Sequence, residues 1–157
     1  MEPALDPALE PVAFLLGTWR GEGKGTYPTA QDFSYLEEIN FRHIGKPFLI
    51  YTQRTTHPVK RYPMHAELGY WRPQERGRIE LVLAHPTGIV EIEEGTIDGT
   101  TIETATTVVG KTTTAKEVSA LERTFTVDGD VLRYEVRMAA VGVPLTSHLT
   151  AELKRAE

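Results

Sequence analysis

From residue 132 to 138 the chain alternates without interruption: Leu132, Tyr134, Val136 and Met138 fall on one side of an extended strand, Arg133, Glu135 and Arg137 on the other. This period of two predicts a half-buried strand. Asp128-Gly129 stands just upstream with Phe125 and Val127 before it, which predicts a hairpin over 121 to 138. Shorter runs of similar character lie at 35–41, 48–55, 65–71, 79–84, 88–94, 96–107 and 145–153. With the piece around Trp19 they amount to nine or ten short strands, a number that in one small chain predicts a sandwich or a closed barrel.

Two segments carry a competing helical signal. Val118, Leu121 and Phe125 recur at helical spacing, and Leu145, Leu149 and Leu153 every four residues. Strands are preferred in both, because antiparallel neighbours lie close in sequence and the flanks are rich in threonine. Composition leans the same way: 20 Thr, 12 Val and 8 Ile make about a quarter of the 157 residues β-branched. Glycine and proline interrupt the chain so often that the longest stretch free of both is the 18 residues 111 to 128, which leaves little room for long helices. Ahead of the strands, residues 3 to 16 predict a short helical turn in which Phe14, Leu15 and Leu16 plug one end of the barrel. With no internal repeat or linker, residues 1–157 read as a single domain and 1–11 as its N-terminal arm.

Charge and residue usage remove whole classes of function. The net charge of −5 and the scatter of the 17 basic residues among acids exclude a large nucleic-acid footprint. No apolar run approaches the ~18 residues of a membrane helix, and the proline-rich, acidic N-terminus does not read as a secretory signal. A cytoplasmic location, without membrane or nucleic-acid partner, is the expectation. The absence of cysteine excludes disulfides, thiol nucleophiles, zinc–thiolate sites and covalent c-type haem attachment.

The residues able to carry chemistry are few. Gly17, Trp19, Gly21 and Gly23 form a glycine–tryptophan motif best read as a structural plug, since no helix or G-K-[ST] follows to make a phosphate cradle. Five histidines, His43, His57, His65, His85 and His148, show no metal-ligand spacing. On a strand at 145–153, His148 would lie with Thr146, Thr150 and Glu152, opposite Leu145, Leu149 and Leu153. The pattern does not say which face points inward. No nucleophile motif occurs, and the pairs Glu37-Glu38 and Glu93-Glu94 are adjacent, so they point to opposite faces of a strand and do not make a glycosidase pair.

An ordered set of motifs spans most of the chain: Gly17-x-Trp19-x-Gly21-x-Gly23, Gly25-Thr26-Tyr27-Pro28-Thr29, Gly45-Lys46-Pro47, Pro63-Met64-His65-Ala66-Glu67, Ala84-His85-Pro86-Thr87-Gly88, Ala115-Lys116-Glu117 and Pro144-Leu145-Thr146-Ser147-His148-Leu149. The set resembles the nitrobindins. That resemblance implies an all-β fold, a closed antiparallel lipocalin-like or fatty-acid-binding-protein-like β-barrel of about ten strands. It implies one non-covalent b-type haem per chain, ferric, with His148 as axial ligand and the sixth position left accessible. Thr29 and Lys116 would lie near the haem, Lys116 against a propionate, while Met64, His65 and Met138 would line the pocket. His85 occupies a position that alternates with glutamine in the family, which leaves its role open. The implied activity is nitric oxide binding and isomerisation of peroxynitrite to nitrate, and a homodimer is compatible with it. Two other readings use the same barrel: a carrier of apolar small molecules, and a haem-based nitric oxide sensor without turnover.

Overall fold

At most of its reversals the β-rich chain is cut into strands by a turn that holds a residue at positive φ, usually glycine. In the computed structural model, which describes residues 1–156, ten strands follow one another: β1 (Gly17–Tyr27), β2 (Ala30–Arg42), β3 (Leu49–Thr56), β4 (Pro63–Gln74), β5 (Arg78–Ala84), β6 (Ile89–Asp98), β7 (Thr101–Lys111), β8 (Val118–Asp128), β9 (Val131–Ala140) and β10 (Val143–Arg155). Each pairs antiparallel with the next and β10 pairs back onto β1, so the sheet closes into an up-and-down barrel without a free edge. The two segments with helical spacing are strands β8 and β10. The hairpin over Asp128-Gly129 forms with Gly129 at φ 61°.

One expected strand is in fact the end of one and the start of another. Residues 96–107 contain a second Asp-Gly turn, in which Gly99 at φ 60° reverses the chain between Asp98 and Thr101. Asp98-Gly99 carries the same signal as Asp128-Gly129, but the apolar residues Ile97 and Ile102 on either side hide it in a pattern-based reading.

The N-terminus closes one end. Asp6 accepts a hydrogen bond from the Ala8 amide at 2.9 Å and starts a 3₁₀ helix, Pro7–Leu15, whose first residue is a proline that has no amide to satisfy. Leu9, Val12 and Leu15 are its buried face; Phe14 and Leu16, expected to share the plug, are only partly buried. Burial of three such side chains contributes roughly 1.5–3 kcal/mol each. Trp19 lies under this helix and donates its indole N–H to the Leu15 carbonyl at 2.9 Å, while the Arg155 guanidinium sits 4.2 Å from its ring centre. Arg155 also donates to the Phe14 carbonyl at 2.9 Å and to that of Leu16, which ties the last strand to the plug.

Two glycines of β1 set how closely its neighbours approach. A Cβ at Gly21 would lie 2.1 Å from the Glu152 carbonyl oxygen on β10, and one at Gly23 would lie 2.3 Å from the Tyr35 ring. Below them the buried Trp19 and the edge-to-face rings of Phe41, Trp71 and Phe125 fill the barrel. Above them the interior stays open.

Strand β6 reverses the usual assignment of faces. Glu91 and Glu93 point inward, 1% and 0% exposed, whereas Val90 and Ile92 point out to solvent. The interior therefore contains a charged layer between the aromatic core and the open end.

Candidate functional site

The open end of the barrel is a cavity of about 630 Å³, within the ~300–1,000 Å³ usual for cofactor and small-molecule sites. His148 stands in its wall because β10 is irregular there. Ser147 pairs with Arg137 and Leu149 with Val136, so His148 is an extra residue, a β-bulge. The bulge suspends the strict alternation expected for 145–153: His148 and its neighbour Leu149 both line the cavity. His148 Nδ1 donates to the Thr26 carbonyl at 3.0 Å, and its ring meets Tyr27 edge-on at 5.3 Å between centroids. Tyr27 is fixed in turn, accepting from the Ala140 amide at 2.9 Å. A carbonyl only accepts, so the proton sits on Nδ1 and the lone pair on Nε2. Burial holds the imidazole pKa below its ordinary value, against the pull of the Thr26 bond, and keeps the ring neutral.

Met64, His65, Met138 and Lys116 line the same cavity as His148. Met64 and Phe33 stay more than a third exposed at its rim, and Lys116 lies exposed in the loop between β7 and β8. Thr29 is not in the cavity wall; it is exposed in the turn between β1 and β2. Gly17, Trp19, Gly21 and Gly23 shape the barrel below.

The floor is polar and was not legible as a site. Arg123, 4% exposed, donates to Glu67 at 2.8 Å, Glu91 at 3.0 Å and Glu93 at 2.8 Å. Thr104 donates to Glu93 at 2.7 Å and Tyr51 to Glu67 at 2.6 Å. A second group surrounds Glu37, which accepts from Tyr134 at 2.6 Å and from Gln53 at 2.7 Å, with Tyr35 bonded to Tyr134 at 2.8 Å. His65 and His85, from separate segments without ligand spacing, meet at 3.3 Å, and His85 Nε2 donates to Glu91 at 2.7 Å. One signal was available: Glu91 and Glu93 are two apart on a strand and must share a face. Arg123 and Glu67 gave no local sign, since only the closed barrel brings β4, β6 and β8 together.

The floor also splits its carboxylates. Burial lifts the Glu37 pKa to about 7, only partly opposed by the Tyr134 and Gln53 bonds. Burial and the adjacent Glu91 lift Glu93 to about 8. For Glu67 and Glu91 the Arg123 guanidinium overcomes the burial cost and both lie below the usual carboxylate range. At neutral pH the layer thus contains ionised and protonated carboxyls side by side.

These features suit a haem. His148 offers a neutral imidazole nitrogen with no hydrogen-bond partner among the described residues, held in orientation by a backbone carbonyl. Met64, Met138, Val118 and Leu149 line the cavity with adaptable apolar surface, and the exposed Lys116 at its rim offers a cation that could pair with a carboxylate.

Comparison with known proteins points the same way. Residues 8–155 match the family model of the THAP4-like, heme-binding beta-barrel domain. The chain is 55% identical to peroxynitrite isomerase 2 of Mycobacterium avium and 52% identical to peroxynitrite isomerase 2 of Mycobacterium marinum, each match covering 99% of both chains. It is 53% identical to the peroxynitrite isomerase of Nocardia farcinica over 97% of this chain and 93% of that one. The crystal structure of Rv2717c from M. tuberculosis superposes with a TM-score of 0.92 at 49% identity, covering 98% of this chain and 100% of that one.

Proposed function

The chain belongs to the THAP4-like, haem-binding β-barrel family, and from that premise we propose that it holds one non-covalent b-type haem through His148, in the ferric state, and isomerises peroxynitrite to nitrate, with nitric oxide as a second small ligand. The observation that carries this reading is the bulged His148: a neutral ring whose Nδ1 is committed to Thr26 and whose Nε2 is free. A haem held there by His148 would supply the iron chemistry able to bind and isomerise a nitrogen–oxygen substrate. The chain does the rest. The Thr26 carbonyl orients His148, burial keeps it unprotonated, the rim residues Met64 and Phe33 limit water, and Lys116 neutralises a propionate. Peroxynitrite and nitrate contain the same atoms and charge, so no wall residue has to supply a proton.

A carrier of fatty acids is a weaker reading of the same cavity. Its floor already saturates the one buried guanidinium with three carboxylates, leaving none for a ligand carboxylate. A sensor without turnover differs only in rate. Stopped-flow mixing of haem-loaded protein with peroxynitrite separates these readings: catalytic acceleration of nitrate formation is expected, and its loss in His148→Ala. No acceleration by the wild type, or an equal rate in the variant, would overturn the proposal.

The working unit in this reading is a cytoplasmic homodimer. Leu68 and Tyr70 on β4, Val82 on β5, Val90 and Ile92 on β6 and Val108 on β7 are all exposed on the outer surface, and strand pairing sets them side by side. The charged outer residues of these strands, Arg72, Glu80 and Glu94, form the next row along the strands and border the apolar row of Tyr70, Val82 and Ile92. An uncharged apolar face of this kind meets a second copy of itself without repulsion.

A further inference from the structure

We propose that His65, Glu67 and His85 bind one first-row divalent transition-metal ion, of the Zn²⁺ class, on the floor of the cavity. The site does not depend on the haem reading, because its donors come from β4 and from the residue that follows β5, and none is His148. His65 Nε2 lies 3.3 Å from His85 Nδ1, and His85 Nδ1 lies 3.3 Å from Glu67 Oε2. The three donor atoms fall within 4.8 Å of one another. Ligands at ~2.0–2.1 Å from a tetrahedral metal stand about 3.3–3.4 Å apart, so the two measured separations are already those of a coordination shell.

The surroundings fix the donors as ligands. The 2.7 Å contact of His85 Nε2 with Glu91 fixes the ring so that Nδ1 is the atom His85 presents to His65 and Glu67. Glu67 is held by Arg123 and Tyr51 through its other contacts. Glu67 and His85 are about a tenth exposed or less, so an ion held between them is shielded from water. The carboxylates of Glu67 and Glu91 share the single guanidinium of Arg123, which leaves negative charge that a divalent ion offsets. Two imidazoles and one carboxylate form a set used by catalytic zinc and by non-haem iron, both of which keep further positions open. All three residues line the cavity, so the open position faces the space the small-molecule substrate would enter.

The full-length haem-free chain is titrated with ZnCl₂ by calorimetry and with CoCl₂ by visible absorption. One ion per chain is expected, with the strong visible bands of low-coordinate Co²⁺. His85→Gln should weaken Zn²⁺ binding by about 100-fold or more, and Glu91→Gln, which spares the ligands, by about 10–100-fold. His148→Ala should leave it unchanged. Circular dichroism confirms that each variant keeps its barrel, and a haem titration of His85→Gln reports separately on the His148 site. Absence of binding, equal affinity in wild type and His85→Gln, or a Co²⁺ spectrum no different from the aqueous ion would each overturn the metal site. Loss of haem binding by the wild type with Zn²⁺ binding intact would overturn the haem proposal alone.

Discussion

Glu37 is the residue whose chemistry the fold alters most visibly. Its carboxyl titrates near 7 in place of its ordinary 4.5, because burial penalises the charged form more than Tyr134 and Gln53 favour it. The folded state therefore binds this proton more tightly than the unfolded chain. Stability from Glu37 is fully present below pH ~4.5 and is lost as pH rises through about 7, a change on the order of 3–4 kcal/mol. Glu93, lifted to about 8, adds to the same alkaline slope. Glu37→Gln is expected to flatten that slope: urea unfolding should show wild type losing stability between pH 5 and 8 and the variant losing much less. An equal slope in both proteins would show that Glu37 is ionised when buried. The variant has a partner waiting, since Gln53 Oε1 is buried without one and an amide flip would present it to the new nitrogen. None of this was visible in the sequence, where Glu37-Glu38 is one of two adjacent acidic pairs. Only the barrel sends Glu37 inward and leaves Glu38 outside with Arg20 and Arg54.

At the scale of elements, the strands were legible wherever alternation was clean, as in β9, and illegible where function bends the rule. Two departures matter. The bulge in β10 turns His148 and Leu149 to the same cavity, and no pattern of period two predicts that. The inversion of β6 puts Glu91 and Glu93 inside and Val90 and Ile92 outside, so a hydrophobic-in reading chooses the wrong face. Both occur where the barrel holds its site, as expected if polar satisfaction there outweighs simple burial. The glycine–tryptophan motif was read as structural, and its glycines give an element-scale test. Gly21→Ala places a Cβ against the Glu152 carbonyl, at the seam that closes β1 on β10, and should cost roughly 2–4 kcal/mol. Gly129→Ala meets open space and suffers only from its positive φ, about 1 kcal/mol. Chemical denaturation of the two variants checks the order; a Gly21→Ala protein as stable as Gly129→Ala would mean that the seam is looser than drawn.

As a whole molecule the barrel has three separate zones: a plugged end, an open end with its cavity, and an apolar outer face. The proposed homodimer is assigned to the last of these. Val82→Lys, at the centre of that face between Tyr70 and Ile92, should convert a dimer to monomers in sedimentation velocity without altering haem uptake. A wild-type monomer at the same concentration would contradict the assignment. The cavity carries the central claim, that one histidine raised on a bulge holds the haem by its free nitrogen. The direct measurement is a hemin titration followed at the Soret band, comparing wild type, His148→Ala, and His148→Ala with added imidazole. Saturation at one haem per chain, its loss in the variant and its recovery when imidazole fills the vacated position are the predicted results. An unchanged Soret spectrum and stoichiometry in His148→Ala would contradict the account.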